Sequence, residues 1–370
     1  MAAPSLTESL GWLRALNDPA LATSWSLGQW QRAIRLARRL RLLGRLAERI
    51  AETGVEQRLP AKVQQHLRAE RTRSRARLRV LTWTMEQVQL VLQDLESPIV
   101  LLKGAAYVAQ QLPIAPGRLP SDLDILVPKA SIEAAQHRLM AHDWREVDLD
   151  DHDRRYYREW SHELPPMHNP RFELELDVHH GILPPVARVT VDSDLLLQNL
   201  VPSGLPGWRV LSPVDQVLHS AAHLFFDSEL RIRVRDLVDL DGLFRHFGRN
   251  PSFWDDLTNR SHELGLTQPL ALAVHYTSSW LGTVVPDSVA LAIREAGPGP
   301  VERSWLYPML DAVLRPLEPD EPDMVARRVA AMALLVRYHW NRLPVHLLVP
   351  HLIHKSRHRR TRELEGDEDT

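Results

Sequence analysis

The feature that most limits the fold of this chain is an alternation of acidic and apolar residues in "DLDILV", residues 122–127. Alternate side chains of a β-strand share one face, so Leu123, Ile125 and Val127 are predicted to point into a core. The two aspartates of the segment then lie together on the opposite face, with Cα atoms roughly 6–7 Å apart. Carboxylates that close repel each other unless a cation lies between them. The pattern therefore predicts a strand with one buried face and one cation-binding face.

A second strand with the same alternation is predicted in "FELELDVHHGI", residues 172–182. Its polar positions share one face, and among them Asp177 is the predicted third carboxylate, with Glu175 as the alternative. Oxygen ligands favour Mg²⁺ or Mn²⁺, and Mg²⁺ commonly takes one or two protein carboxylates together with substrate phosphates. Asp122 and Asp124 are therefore the predicted ligands of a divalent cation, and Asp177 supplies the third carboxylate that is needed if the site holds two metal ions that clamp an attacking and a leaving oxygen.

A candidate phosphate site precedes the acidic pair. "PIVLLKGAA" predicts a buried strand that ends at Lys103 and Gly104, followed by a helix over about residues 105–111. A glycine at such a turn lets backbone amides approach a phosphate, and the helix N-terminus favours an anion. Lys103 adds a positive charge, and Arg118, four residues before Asp122, is placed to reach a triphosphate.

Four further residues are candidates for a substrate cleft. His219 and His223 are four apart on a predicted helix, and His179 shares the predicted face of Asp177. Asp236 follows on the next predicted helix, near three arginines. Because no glutamate follows His219, the zinc motif H-E-x-x-H is incomplete, and a place in the cleft or in helix packing is favoured over a zinc hydrolase.

The order of patterns along the 370 residues divides the chain into two or three packed units. Helical periodicity predicts an N-terminal helical region over 1–96, short β-rich runs predict an α/β unit over 97–205, and helices return over 206–352. The polar tail at 353–370 is predicted to be disordered. With 25% charged and 44% hydrophobic residues, the composition is that of a globular protein.

The N-terminal region is strongly basic. Between Arg32 and Arg79, 15 Lys or Arg stand against four Glu, a local charge of +11 in a chain with a formal net charge of −2. The apolar residues that recur at steps of three and four on one predicted helix face are Leu36, Leu40, Leu43, Ala47 and Ile50. A solvated helix surface and an RNA- or phosphate-binding surface both explain the arginines.

These motifs, in this order, resemble the nucleotidyltransferase superfamily with the DNA polymerase β-type palm. "LLKGAAYVAQQL", "RLPSDLDILV" and "LELDVHHGI" are most similar to the uncharacterised nucleotidyltransferase family 5, which pairs K-G with R-x-x-D-x-D-x-L-V and D-x-H. The resemblance covers roughly residues 25–245 and implies an α+β fold, a palm with a small mixed sheet between N-terminal and C-terminal helical regions. Ala105 departs from the Ser or Gly frequent in the wider superfamily, and the interval from Gly104 to Asp122 is longer than usual.

The resemblance also implies an activity, the metal-dependent transfer of a nucleoside monophosphate from an NTP to a hydroxyl or phosphate, with release of pyrophosphate. Asp122 and Asp124 would bind both metal ions, and Asp177 would complete the one nearer the acceptor. The acceptor (a small molecule, a peptide or RNA), the preferred base and the oligomeric state stay open. Two alternatives are a non-catalytic nucleotide- or RNA-binding relative and a toxin-type enzyme that adds nucleotides to tRNA.

The cellular compartment is predicted from what the sequence lacks. Without cysteine there are no disulfides and no thiolate metal sites, which fits a reducing compartment. The N-terminus does not read as a signal peptide, and no apolar segment approaches the roughly 20 residues that span a bilayer. We therefore expect a cytoplasmic protein without a membrane partner.

Overall fold

The computed structural model describes residues 10–227, 230–318, 321–344 and 346–348. The tail at 353–370, expected to be disordered, lies outside these residues. Within the described ranges the fold is α+β, with helices around one mixed sheet. The expected fold class is confirmed at this level.

The helices of the described residues are α1 (Leu27–Arg39), α2 (Leu43–Glu52), α3 (Ala61–Leu92), α4 (Lys103–Ala109), α5 (Ile132–Ala141), α6 (Asp151–Glu159), α7 (Ser193–Leu197), α8 (Pro213–Phe225), α9 (Val234–Phe247), α10 (Phe253–Glu263), α11 (Thr267–Tyr276), α12 (Asp287–Ala296), α13 (Pro300–Leu314) and α14 (Val325–Arg342). None of them, within the part of the chain that is described, is long and apolar enough to cross a bilayer.

The strands are β1 (Val100–Leu101), β2 (Asp122–Leu126), β3 (Arg145–Glu146), β4 (Met167–His168), β5 (Glu175–His179), β6 (Val201–Pro202) and β7 (Arg209–Val210). They form one sheet in the order β3-β4-β5-β2-β1-β7-β6. β2 runs parallel to β5 and antiparallel to β1, and β1 runs parallel to β7. Because β7 belongs to the sheet, the sheet extends beyond residue 205, where the α/β unit was expected to end.

The N-terminal helices differ from the sequence pattern at one turn. Leu36, Leu40 and Leu43 are buried as expected, but α1 ends at Arg39 and a new helix starts at Leu43. Arg41, between them, has a φ of 56°, a left-handed conformation that a right-handed helix cannot contain. The apolar spacing therefore predicted burial correctly and missed the break.

The basic residues of α3 are drawn into ion pairs with acids of neighbouring segments. Glu48 of α2 is buried and lies 2.8 Å from Arg75. Glu56 pairs with both Arg68, at 2.5 Å, and Arg71, at 2.7 Å. These contacts attach α3 to the segment before it, and α3 in turn packs against β2, α4 and α5. Part of the positive charge predicted for this region is thus neutralised within the protein.

The C-terminal helices surround α8. α8 packs against α9, α10 and α11, and α13 packs against α14. Ser212 caps α8, since its hydroxyl accepts a hydrogen bond from the backbone N–H of Asp215, and Pro213 occupies the first turn. Asp215 is fully buried and pairs with Arg260 of α10 at 2.8 Å. This anchored helix forms one side of the site.

Candidate active site

Two parallel strands carry the predicted acidic residues. β2 and β5 pair with Asp124 opposite Asp177 and Asp122 opposite Glu175. Paired residues of adjacent strands point to the same side of a sheet, so Asp122, Asp124 and Asp177 share one face. Leu123, between the first two, is fully buried on the other face. The structure therefore brings the three predicted carboxylates to adjacent positions of one sheet.

Asp124 is the buried member of the three. The Nζ of Lys103 lies 2.9 Å from its Oδ1, and the Nε2 of His179 lies 3.1 Å from the same oxygen. Burial opposes the charged carboxylate, but Lys103 and His179 outweigh burial and hold the pKa of Asp124 well below its usual range. Burial likewise disfavours the ammonium, yet Asp124 raises the pKa of Lys103 above its ordinary value. Asp124 is thus an anion held by the ammonium of Lys103 and the imidazole ring of His179.

His179 lies between two carboxylates. Its Nε2 faces Asp124, and its Nδ1 is 3.2 Å from the Oε2 of Glu163. The hydrogen bond with Asp124 and the negative charge of Glu163 beside Nδ1 both favour the protonated ring. Burial lowers the pKa of His179, but the hydrogen bond to Asp124 and the charge of Glu163 outweigh burial and raise it. Glu163 reaches the ring because it forms an isolated antiparallel bridge with His179.

Asp122 and Asp177 have the opposite surroundings. Among the described residues neither forms an ion pair with a Lys, Arg or His. Burial, with the charge of Asp124, raises the pKa of Asp177 to about 7. Burial and Asp124 also raise the pKa of Asp122. The site therefore holds more negative charge than its own cations balance, and a divalent cation would relieve this excess.

The turn after β1 is built around Lys103. α4 begins at this residue, two positions earlier than expected. Lys103 has a φ of 43°, a left-handed conformation that costs a non-glycine residue about 1–3 kcal/mol. A Cβ added to Gly104 would lie 3.3 Å from the Nη2 of Arg118, tighter than most Cβ contacts. The glycine therefore leaves room for the arginine beside the strained lysine.

Arg118 is held by α9 and by an aromatic ring. Its guanidinium pairs with Asp239 of α9 and lies 5.2 Å from the ring centre of Tyr107. The Oη of Tyr107 is in turn 2.6 Å from the Oγ of Ser220 on α8. Arg118 therefore reaches the site with its charge partly balanced and its position fixed.

A cavity of about 420 Å³ opens in front of the carboxylates, a size typical of small-molecule sites. The predicted site residues that line it are Lys103, Gly104, Arg118, Asp122, Asp124, Asp177, His179, His223 and Asp236. His219 does not line the cavity and is buried within α8. Nine of the predicted site residues, which come from separate motifs of the sequence, therefore line the same cavity.

The two histidines of α8 are neutral groups. Burial lowers the pKa of His219 to about 3 and that of His223 well below its ordinary value, and the positive charge of Lys103 adds to both effects. Their ring centres are 6.4 Å apart. Asp236 of α9 accepts a hydrogen bond from Arg233 at 3.2 Å and lies near Arg235. Where α8 and α9 line the cavity, the wall therefore consists of the uncharged imidazole of His223 and the paired guanidinium groups of Arg233 and Arg235.

Among the described residues, two groups of side chains have donor atoms that suit a metal ion. The first is the aspartate set, with oxygen donors only, whose three carboxylates do not come within 4.8 Å of one another as a group. In the second, the ligand atoms of His162, Glu163 and His179 lie within 4.8 Å of one another. The Nε2 of His179 is already hydrogen-bonded with Asp124 and the pKa of the ring is raised, so a metal ion at this ring competes with that hydrogen bond and with a proton. The aspartates therefore suit a hard cation such as Mg²⁺, whereas Glu163 and His179 orient Asp124.

Several contacting residues were not identified from the sequence. Glu163 belongs to no motif, and its contact with His179 exists only once the bridge beside β5 has formed. Asp239 is one of several acids on α9, and only tertiary packing selects it as the partner of Arg118. The sequence offered one sign of these contacts, the polar pair His162 and Glu163 within a β-rich region.

The family model described as uncharacterised nucleotidyltransferase matches residues 26–282 of the chain. This match covers more than half of the 370 residues, and the chain belongs to this nucleotidyltransferase family. No curated protein and no solved structure matches the chain. The resemblance expected from the motifs is confirmed, while the roles of single residues stay predictions.

Proposed function

We propose that the chain is a metal-dependent nucleotidyltransferase that moves a nucleoside monophosphate from an NTP to an acceptor hydroxyl or phosphate and releases pyrophosphate. The observation that carries this proposal is the register of β2 against β5, which sets Asp124 beside Asp177. Asp122 lines the same cavity. Membership of a nucleotidyltransferase family supports the same reaction class.

Asp122, Asp124 and Asp177 are the residues that would hold Mg²⁺ or Mn²⁺. Three carboxylates on one face of the sheet, two of them with a pKa raised by burial and by Asp124, form a donor set that suits a hard divalent cation. When bound, the metal supplies charge neutralisation on the triphosphate and orientation of the reacting oxygens.

The other residues of the site position and balance charge. Lys103 and His179 fix the Asp124 carboxylate through its Oδ1, and Arg118 with Lys103 faces the phosphate side. In this proposal Asp177 accepts the proton of the acceptor hydroxyl. Its place on β5, opposite Asp124 and on the same lining of the cavity, supports this role.

The test is nucleotide transfer with each of four α-labelled NTPs and Mg²⁺, with and without acceptor pools. We expect pyrophosphate release and label in an acceptor product, both abolished by EDTA. Absence of release with every nucleotide and every acceptor pool contradicts the proposal and favours the non-catalytic alternative.

Substitutions assign the carboxylates. Asp122→Asn and Asp177→Asn are expected to lower turnover by about 100-fold or more, since each removes an oxygen charge from the reacting site. Glu175→Gln tests the alternative third carboxylate on the same strand face. Because Glu175 is exposed and does not line the cavity, this variant is expected to keep wild-type turnover. Full activity of Asp122→Asn contradicts the metal assignment.

A further inference from the structure

Apolar residues line the same cavity as the carboxylates, and together they are called its apolar part. The segment that follows β5 contributes the lining residues Ile182, Leu183, Pro184, Ala187 and Val189. α13 contributes Leu310 and α14 contributes Leu334. The nucleotide phosphates and metals do not need such walls, so this part of the cavity suits a different chemical group.

This apolar wall is fixed to α14. The backbone N–H of Arg188 donates to the carbonyl of Asn341 at 2.9 Å, and its Nε donates to the carbonyl of Trp340 at 2.8 Å. Its guanidinium also lies 4.1 Å from the ring centre of Trp340. The segment 182–189 is therefore held against the end of α14, and the cavity that it lines, at about 420 Å³, has the size of a small-molecule site.

The strand order separates two sides of the site. The Lys103-Gly104 turn follows β1, whereas the apolar segment follows β5, and β2 lies between these strands. The phosphate-facing turn and the apolar wall thus extend from opposite sides of the aspartates of β2. Asp177, on β5, belongs to the side of the apolar wall.

A guanidinium lies at this same side. Arg342, at the end of α14, lines the cavity, hydrogen-bonds the hydroxyl of Tyr338 and lies 5.8 Å from the ring centre of Tyr156. Its Nε is buried without a hydrogen-bond partner among the described residues. Arg342 is half-buried, and Glu163 is the carboxylate that lines the cavity near it. A guanidinium that lines a cavity is suited to a charge-assisted hydrogen bond with an anionic group of a ligand.

Resting on the proposed function, we infer that the acceptor is a small molecule with an apolar body, a reacting hydroxyl and a carboxylate or phosphate. The apolar body packs against the segment 182–189, the anionic group meets Arg342, and the hydroxyl lies next to Asp177. The hydroxyl oxygen forms a bond to the α-phosphorus and the bond to the β-phosphate bridging oxygen breaks. Pyrophosphate leaves, and the hydroxyl proton passes to Asp177.

The first test measures binding and does not require turnover. The probe is 1-anilinonaphthalene-8-sulfonate, an aromatic anion whose fluorescence rises in apolar surroundings. We expect one saturable site per chain that Mg²⁺-ATP does not displace. Arg342→Gln should weaken binding at least 10-fold and Ala187→Trp should abolish it, because the first removes the cation and the second fills the apolar part. The matched controls are Arg328→Gln and Ala326→Trp at exposed positions of α14, which should bind as the wild type does.

Melting curves show that each variant is folded, and a fluorescent ATP analogue reports the nucleotide side. Displacement of the probe by ATP, or loss of ATP-analogue binding in Ala187→Trp, assigns the apolar part to the nucleobase and overturns the inference. A probe affinity unchanged in both Arg342→Gln and Ala187→Trp also overturns it.

The second test follows label from α-labelled NTPs into either an RNA-free cell filtrate below 1 kDa or total RNA. We expect label in the filtrate only, and loss of that label in Ala187→Trp. Label in RNA alone overturns the inference while the proposed function survives. No label in either pool contradicts the proposed function, and the probe measurement then still decides whether the anion site exists.

Discussion

Asp122 and Asp124 are two residues apart and differ in their electrostatic surroundings. Repulsion between like charges alone suggests that either carboxylate is removable without harm to the fold. The contacts of Asp124 with Lys103 and His179 reverse this expectation for one of the two. Removal of one partner from a buried ion pair leaves the other charge uncompensated, which is strongly destabilising.

We therefore predict opposite effects on stability. Asp124→Asn should lower the free energy of unfolding by about 3 kcal/mol, because the buried Lys103 loses its carboxylate. Asp122→Asn should leave stability unchanged or raise it slightly. Urea denaturation of the metal-free protein at pH 8 measures both, and equal destabilisation of the two variants is the outcome that contradicts the ion-pair argument.

Asp177 gives a prediction for pH. Its pKa is about 7 in the folded protein and near the ordinary value of about 3.9 in the unfolded chain. The folded state holds the proton more tightly, so the metal-free protein loses stability as pH rises from about 4 to about 7. Asp177→Asn carries no such proton, and in EDTA at pH 8 it should melt roughly 1–3 °C above the wild type.

At pH 4 the two proteins should melt at nearly the same temperature, because Asp177 is then protonated in the folded protein and about half protonated in the unfolded chain, which leaves only a small titration effect. Glu175→Gln, an exposed neighbour on the same strand, is the control. A melting difference between Asp177→Asn and the wild type that is the same at pH 4 and pH 8 indicates a packing effect and not titration.

The sequence indicated the residues of the site better than their partners. Strand alternation identifies the face of Asp122, Asp124 and Asp177 because side-chain direction depends only on local backbone geometry. The contact of Asp239 with Arg118 joins segments far apart in the chain, and that of Glu163 with His179 depends on the bridge beside β5, so no local pattern encodes either.

At the scale of elements, two glycines bring α2 against the loop that precedes β2. A Cβ on Gly44 of α2 would lie 2.3 Å from the carbonyl oxygen of Gly117. Gly117 has a φ of 80° and precedes Arg118. This backbone contact therefore fixes the loop that presents Arg118 to the site.

We predict that Gly44→Ala destabilises the protein by about 2 kcal/mol or more, because backbone atoms cannot move aside as a side chain does. Gly28→Ala in α1 is the matched control. Its Cβ would meet nothing closer than 4.0 Å, and alanine in a helix is more stable than glycine by up to about 1 kcal/mol. Opposite shifts in melting temperature are expected, and a harmless Gly44→Ala contradicts the close approach.

The strands with strict alternation and the apolar run of β1 were predictable, whereas β6 and β7 were not. β2 and β5, with five residues each, fall within the expected segments. β6 and β7 have two residues each, too few for any periodicity to register. The turn at Arg41 was also missed, because apolar spacing continues through it while the backbone does not.

At the scale of the whole molecule, the arginines of the basic N-terminal region form ion pairs within the protein, which their number in the sequence does not indicate. Arg75 pairs with Glu48. Arg77 pairs with Glu173 at 2.8 Å and also donates a hydrogen bond to the carbonyl of Pro120. These arginines attach α3 to the rest of the fold. Fewer positive charges are left for phosphates than the count predicts.

We accordingly expect only non-specific binding to RNA. Fluorescence anisotropy with a single-stranded RNA at 150 mM salt should give a dissociation constant in the range of about 10⁻⁴–10⁻⁶ M. The affinity should decrease steeply when salt is added. Arg79→Gln, at an exposed position of α3, should change it little. Sub-micromolar, sequence-dependent binding contradicts the view that ion pairs account for the basic region.

The pairing of β1 with β7 has a consequence during synthesis on the ribosome. β1 is covered by β2 on one edge and by β7 on the other, and β7 begins only at Arg209. A nascent chain that has not yet reached this residue leaves one edge of a fully buried strand without a neighbour. Fragments that stop short of it are therefore expected to aggregate, and the chain acquires a complete sheet only after more than half of its length has been translated.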